Sequence, residues 1–485
     1  MTTHILAVDQ GTSSTKAVLL DAAGQVVARA SAPLAQSHPG PGLVEQDAPA
    51  LLDSVRTAVA GCLADVDPRS VAGVALSTQR ESVVLWDART GTPLAPVVSW
   101  QDRRGGSRAA RIERDGMGEE VRRRTGLPLD PMFSALKMAA LLDEHDPRRV
   151  RGRAGQLRLG TVEAFLLDTF TGTPVTEIGN ASRTQLLDLG TGGWDEELLA
   201  LFDVPRAALG EVVASDGAFG EIRGLAPLPD GTPVLAVLGD SHAALFAHAG
   251  WRQGTVKATY GTGSSIMTVA GSAEPANGMC TTIAWSMGQA TFAHEANIRS
   301  TGRTVTWLAD LLKTSPEQIL TRAADADAGD VTLVPAFGGI GAPWWDAGAV
   351  PVLAGFDLST GPEQLARAAL ESVAHQVDDV LTQLPGVRRI VADGGLSRSD
   401  TLMQLQADLS GIEVARTLDH ELSAVGAARM AGLRLGLWTI GELEKRTADA
   451  LHVCAPIWDE ERRRAAVTRW RRCVEAARSL GTRGK

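Results

Sequence analysis

Residues 5–20 read Ile5-Leu-Ala-Val-Asp9-Gln-Gly11-Thr-Ser-Ser-Thr-Lys16-Ala-Val-Leu-Leu20. An apolar run, Ile5 to Val8, gives way to a Gly-Thr-Ser turn and then to a second apolar run, Lys16 to Leu20, which predicts a β-hairpin with its polar residues at the tip. Successive backbone N–H groups in such a turn make a concave array of donors suited to phosphate. Glycine permits close approach, and an aspartate beside it can hold Mg²⁺ through water. Taken alone, such a turn is more often a plain hairpin loop than a nucleotide site. The pattern returns far downstream, where Gly254-Thr-Val-Lys-Ala-Thr-Tyr260 leads into Gly261-Thr-Gly-Ser-Ser265 and the strand Ile266 to Ala270. The chain reads as a duplicated architecture.

Between and after the hairpins, helices are expected over Ala48–Ala64, Phe133–Glu144, Pro362–Leu384 and Ser399–Ser410, and strands over Gly73–Ser77 and Arg389–Asp393. Strands alternating with helices favour an α/β class. At 485 residues the chain exceeds what one core supports, so two domains are expected, 1–245 and 246–485. The Arg-rich tail from Asp459 reads as a helix packing back across the other domain.

Apolar residues make up 44% and charged residues 21%, the balance of a globular protein. A net charge of −10 opposes attraction to nucleic acid or an anionic membrane surface. Cys62, Cys280, Cys454 and Cys473 form no CxxC pair, so neither a zinc site nor a disulfide framework is suggested. No basic leader precedes the first strand, and no run of about 18 apolar residues occurs. A cytoplasmic protein, neither exported nor membrane-spanning, is the expectation.

Gly-Lys occurs only at Gly484-Lys485, which excludes a Walker A loop, and no GxGxxG is found. Adding a third turn, Asp393-Gly-Gly-Leu-Ser397, to the two hairpin tips gives a different plan. Two loops clamping phosphates from opposite domains, with a Gly-Gly turn under the base, describe a two-domain actin-like ATPase (ribonuclease H-like) fold with a cleft between its domains.

The order of Asp9-Gln-Gly-Thr, Thr78-Gln-Arg-Glu81, Asn180-Ala-Ser-Arg-Thr184, Gly239-Asp240, Tyr260-Gly-Thr-Gly263, Gly341-Ala-Pro and Asp393-Gly-Gly resembles the FGGY carbohydrate kinases, most of all their glycerol kinase branch. The resemblance runs from about residue 4 to about residue 475. It implies ATP and Mg²⁺ as cofactors, a polyol or sugar as the partner molecule, and Asp240 as catalytic base. A carboxylate there suits the chemistry, because a hydroxyl attacking the γ-phosphoryl must shed its proton. By the same resemblance Asp9 sits near the metal, and Gly11, Thr12, Ser13, Ser14 and Lys16 line the first phosphate loop. Thr262 and Gly263 reach the phosphates from the far side, while Gly302, Thr306, Gly394, Gly395 and Ser399 lie beside the nucleotide. Arg80 and Glu81 match the pair that grips polyol hydroxyls, and Trp100 matches an aromatic wall. Homo-oligomers are frequent in the family, but no residue here fixes an interface.

Three pocket positions depart from the glycerol kinase pattern: Met132 stands for a tyrosine, Ser241 for a glutamine and Ser265 for a phenylalanine. Together with His242, which is open to reading as a pocket or a buried helix residue, these changes enlarge the pocket and add polar groups. The expectation is an acceptor larger than glycerol, such as a four- or five-carbon polyol or a ketose, with glycerol itself a serious competitor. Gly224 to Gly231 lacks the Gly- and Arg-bearing loop through which some glycerol kinases bind a sugar bisphosphate. A ketose kinase of the xylulokinase type and a non-metabolic actin-like ATPase switch remain alternatives.

Overall fold

The structure, a computed structural model, describes residues 3–274, 278–417, 421–449 and 451–482. Two sheets organise it. The first contains β1 (His4–Gln10), β2 (Ser14–Asp21), β3 (Val26–Pro33), β4 (Val71–Thr78) and β5 (Val234–Gly239), in the order β5-β4-β1-β2-β3. The second contains β6 (Thr255–Tyr260), β7 (Ser264–Ala270), β8 (Cys280–Met287), β9 (Gln289–Ile298), β10 (Arg389–Asp393), β11 (Glu413–Thr417) and β12 (Leu451–Cys454), in the order β8-β9-β7-β6-β10-β11-β12.

In each sheet a hairpin's first strand is central. β1 pairs antiparallel with β2 and parallel with β4, and β6 pairs antiparallel with β7 and parallel with β10. The next strands also correspond: β3 joins β2 and β9 joins β7, both antiparallel, while β5 joins β4 and β11 joins β10, both parallel. The duplication expected from the two Gly-rich turns is therefore a duplication of topology, with β8 and β12 added at the edges of the second copy.

Strand alternation explains how the first sheet is buried on both faces. Leu6, Val8, Ala17 and Leu19 pack with Leu51, Val55 and Val59 of the helix Ala48–Cys62. Ile5, Ala7, Val18 and Leu20 pack with Ala424, Ala427, Ala428 and Ala431 of the helix Leu422–Arg434. That second helix comes from beyond residue 400, yet it lies on the first sheet, and its small residues let it approach the helix Asp240–Ala247 closely. A Cβ on Gly426 would stand 1.8 Å from the carbonyl oxygen of Ala243. The helix that begins with Asp240 is thus held backbone to backbone.

The other expected elements differ at their ends. The helices run Ser134–His145, Pro362–Leu381 and Asp400–Ser410, with Ser399 as the cap of the last, and the strand expected over Gly73–Ser77 extends over Val71–Thr78. Ser14 begins β2 and Ser265 lies inside β7, so the hairpin tips are only Gly11–Ser13 and Gly261–Gly263. The tail forms the helix Glu460–Thr482, which packs on its own half rather than across the other. Trp470 stacks on His375 of the helix Pro362–Leu381 at 4.9 Å and donates to Asp379 Oδ2 at 2.7 Å. Residues 483–485 of the expected tail lie outside the described residues. Among the described residues no helix is long and apolar enough to cross a membrane.

Candidate active site

A cleft of about 750 Å³ opens between the two sheets, lined by Lys16, Asp240, Ser241, Lys257, Gly394 and Gly395 among others. Asp240 enters it because β5 ends at Gly239 and the helix Asp240–Ala247 starts there, placing the carboxylate in a helix's first turn. Its Oδ1 accepts from the Ser241 N–H at 2.6 Å and lies 3.3 Å from Arg80 Nε, and 39% of the side chain remains exposed. Burial pushes the Asp240 carboxyl upward, partly countered by the Arg80 guanidinium.

Asp9, at the end of β1, accepts from Ser77 Oγ at 2.9 Å. Burial, and next the negative charge of Asp240, raise its pKa to about 6. In the second sheet the same exchange is mirrored. Asp393, on β10, lies opposite Thr259 on β6, and accepts from His248 Nε2 at 2.9 Å. Burial opposes its ionisation, but Lys257 and the His248 hydrogen bond outweigh burial and hold Asp393 below the usual carboxylate range.

The first loop is fixed by side chains together with main-chain bonds. Gly11 N–H donates to Ser14 O at 3.0 Å, Gln46 Nε2 donates to Thr12 O at 2.6 Å, and Trp100 Nε1 donates to Thr12 Oγ1 at 3.0 Å. Ser13 is exposed, with its carbonyl accepting from Leu34 N–H at 2.8 Å. The second loop is fixed by the start of the helix Gly302–Leu311. Gly302 N–H donates to Gly261 O and Arg303 N–H to Thr262 O, both at 3.0 Å. Thr306, one turn along, is exposed and donates back to Gly302 O at 3.2 Å. Gly263 packs where a Cβ would meet Ile298 O at 2.5 Å, and Gly394, at φ 89°, where one would meet Tyr260 O at 2.6 Å. Ser399 Oγ accepts from Leu402 N–H at 3.3 Å, so that hydroxyl serves the helix.

Arg80 and Glu81 do not stand as a free donor and acceptor. Both terminal nitrogens of Arg80 fork onto Glu295, at 2.7 and 2.8 Å, and Glu81 Oε1 accepts from Arg183 Nε at 2.6 Å. Arg183 Nη1 lies 3.1 Å from Glu295 Oε2, which closes a buried chain of two cations and two anions. Burial opposes the charge on Glu295, but Arg183 and Arg80 hold its carboxyl far below the ordinary range. His242 is fully buried and accepts from Arg80 Nη1 at 3.4 Å; burial, then Arg80, pushes its pKa well below the ordinary value, so the ring is neutral. Met132 packs in an apolar cluster with Leu127, Phe133 and Cys280. Ser134, two residues on, donates to Glu81 O at 3.0 Å.

Sheet register places Ser265 with this group. Thr259, Ser265 and Asn297 face one another across β6, β7 and β9, and Lys257, Met267 and Glu295 form the adjoining row. Residues two apart share a face, so Ser265 lies diagonally beside Glu295. Its Oγ is buried without a hydrogen-bond partner, as is His242 Nδ1.

Glu295, Arg183, Lys257 and Asp393 were not singled out as site residues from sequence. Arg183 sits in the Asn180–Thr184 motif and Lys257 in the repeated hairpin, so a charge inside an otherwise apolar or small-residue segment was the available signal.

Known proteins resemble the chain over nearly its whole length. The sequence profile described as the FGGY family of carbohydrate kinases, N-terminal domain, matches residues 4–247, and its C-terminal counterpart matches residues 256–435. The chain is 39% identical to an apulose kinase of Pectobacterium atrosepticum, covering 98% of both chains. It is 41% identical to a glycerol kinase of Aromatoleum aromaticum, covering 98% of this chain and 99% of the other. The solved structure of Plasmodium falciparum glycerol kinase with ADP superposes with a TM-score of 0.93 at 25% identity, covering 98% of each.

Proposed function

Since the chain belongs to the FGGY family of carbohydrate kinases and is therefore an ATP-dependent kinase, we propose that it phosphorylates a hydroxyl of a polyol or ketose somewhat larger than glycerol. The observation that carries the size of the acceptor is Ser265, whose buried hydroxyl lacks a partner on the sheet face that also bears Glu295. A serine there takes up less volume than the phenylalanine of the glycerol kinase pattern, and its unpaired hydroxyl favours an acceptor able to complete the bond. Ser241 on the cleft wall adds a second small polar group. An apulose kinase and a glycerol kinase resemble the chain to nearly the same degree, so the relatives leave both a ketose and a triol in contention.

Asp240 is the base in this reading. Its carboxylate faces the cleft and accepts the proton of the attacking hydroxyl, while Arg80 partly offsets the burial that disfavours its charge. Lys16 and Lys257 reach the same cleft and offset phosphoryl charge, with the N–H groups of the two loops positioning the phosphates. The acceptor is gripped mainly from residues 1–245 and the nucleotide mainly from 246–485.

Mg²⁺ fits the donors present. Among the described residues no cluster of three or more His, Cys, Asp or Glu could cage a metal. Asp9, facing a second carboxylate that already disfavours its ionisation, would supply a hard oxygen ligand of the kind with which a protein holds a phosphate-bound Mg²⁺. When bound, the ion would neutralise charge on the transferring group.

ADP release from ATP·Mg²⁺ against glycerol, tetritols, pentitols and pentuloses tests the proposal. The expected result is one acceptor of four or five carbons exceeding glycerol in kcat/KM. Glycerol surpassing all of them would overturn the size argument, and hydrolysis indifferent to every compound would favour the ATPase switch.

A further inference from the structure

We propose that Glu295 is a positioning residue for phosphoryl transfer: by holding both terminal nitrogens of Arg80, it keeps that guanidinium from closing over Asp240. The proposal rests on the kinase reading of the cleft. Guanidinium presents five donors in a fixed plane and pairs best with a carboxylate through two parallel bonds. Arg80 has two carboxylates within reach, Glu295 and Asp240. It gives its forked edge to Glu295, at 2.7 and 2.8 Å, and turns only Nε toward Asp240, at 3.3 Å. That Nε makes no hydrogen bond.

The division has a chemical consequence. Asp240 Oδ1 is already engaged by the Ser241 N–H. Were the forked edge of Arg80 to swing onto Asp240, both oxygens would carry charge-assisted bonds, which would weaken the carboxylate as a base and crowd the approach of a hydroxyl. Glu295 prevents this from a rigid place. It lies on β9, in register with Met267 on β7 and Cys280 on β8, so strands flank it on both sides. It also lies 3.1 Å from Arg183, whose Nε holds Glu81. Removing its charge would leave two buried guanidinium groups short of an anion, with Asp240 the nearest substitute for Arg80.

The test uses the full chain, its best acceptor from the panel above, and Glu295→Gln. Expected are a fall in kcat of about tenfold or more, the size commanded by a buried hydrogen bond to a charged group, and ADP affinity by calorimetry unchanged within about twofold. The fall should shrink in an Arg80→Lys background, because an ammonium has no fork for Glu295 to restrain. A kcat kept within about twofold, a parallel loss of ADP affinity, or an equal effect in both backgrounds would overturn the proposal. Should Glu295→Gln fail to fold, Glu295→Asp carries the same test, since it keeps the charge but shortens the reach. A wild-type protein that turns over no acceptor would instead remove the functional reading on which the inference stands.

Discussion

The two hairpin tips share a topology and differ in what holds them. At Gly11–Ser13 two of the three carbonyls are held by side chains, Gln46 on Thr12 O and Gln10 on Gly11 O, with Leu34 N–H on Ser13 O and Trp100 holding the Thr12 hydroxyl. At Gly261–Gly263 the carbonyls are fixed by main-chain N–H groups of Gly302 and Arg303, with Thr301 Oγ1 also donating to Gly261 O at 3.0 Å. A loop tied by backbone is set by the fold itself. A loop tied through Gln46 and Trp100 is set by side chains that can shift with what lies against them. Under the proposed function, the first tip would respond to the acceptor and the second would be the more rigid seat for the nucleotide.

Asp240 lines the cleft between the two sheets, and its removal should have the largest effect. Asp240→Asn should cut kcat by about 10²–10⁴-fold, the range for a general base, while ADP affinity stays near wild type. Because burial raises this carboxyl, it takes up a proton at a higher pH than a free aspartate does. The wild-type rate should therefore fall on the acid side from a higher pH than an ordinary carboxylate would give, and Asp240→Asn should lose that limb. An unchanged kcat would remove Asp240 from the role of base.

Next in size is a substitution aimed at the rigid tip. A Cβ at Gly302 would stand 2.6 Å from Gly261 O and 3.3 Å from Thr262 Cα. Both are backbone atoms that cannot rotate away. Gly302→Ala should raise the KM for ATP by about tenfold, a shift of about 1.4 kcal/mol, with the acceptor KM little altered. Gly11→Ala makes the matched comparison. Its Cβ would meet only Ser14 O, at 3.2 Å, so a displacement of a few tenths of an ångström suffices and the effect should be smaller. Equal effects at the two glycines would erase the distinction between the tips.

How much of this was legible in the sequence follows from range. The hairpins, the duplication and the helix Ala48–Cys62 rest on local alternation and turn residues, and these were readable. Asp240 needed the resemblance, because a strand-ending aspartate before a helix reads equally as a cap. The Arg80–Glu295 fork joins residues 215 positions apart, and no periodicity connects them. Taking Arg80 and Glu81 as a matched pair was the natural local reading; in the folded chain each spends its charge on a distant partner. The tail shows the same limit: its helix was visible, but the face it docks on depended on His375 and Asp379.

The smallest expected effect bears most directly on the side-chain-tied tip. Trp100→Phe keeps an apolar wall but removes the N–H that reaches Thr12. A hydrogen bond between neutral groups contributes about 1 kcal/mol, so the KM for ATP should rise about fivefold while the second tip is untouched. The Trp100 backbone also donates to Ser82 Oγ at 3.0 Å, Ser82 Oγ donates to Gln79 Oε1 at 2.9 Å, and Gln79 Nε2 lies 3.4 Å from Gly11 O. This second path survives the substitution and limits the loss. Initial rates measured over both substrates separate the possibilities. A rise confined to the acceptor KM would make Trp100 a wall and nothing more, whereas an ATP KM that rises and depends on which acceptor is present would tie the first tip to acceptor occupancy.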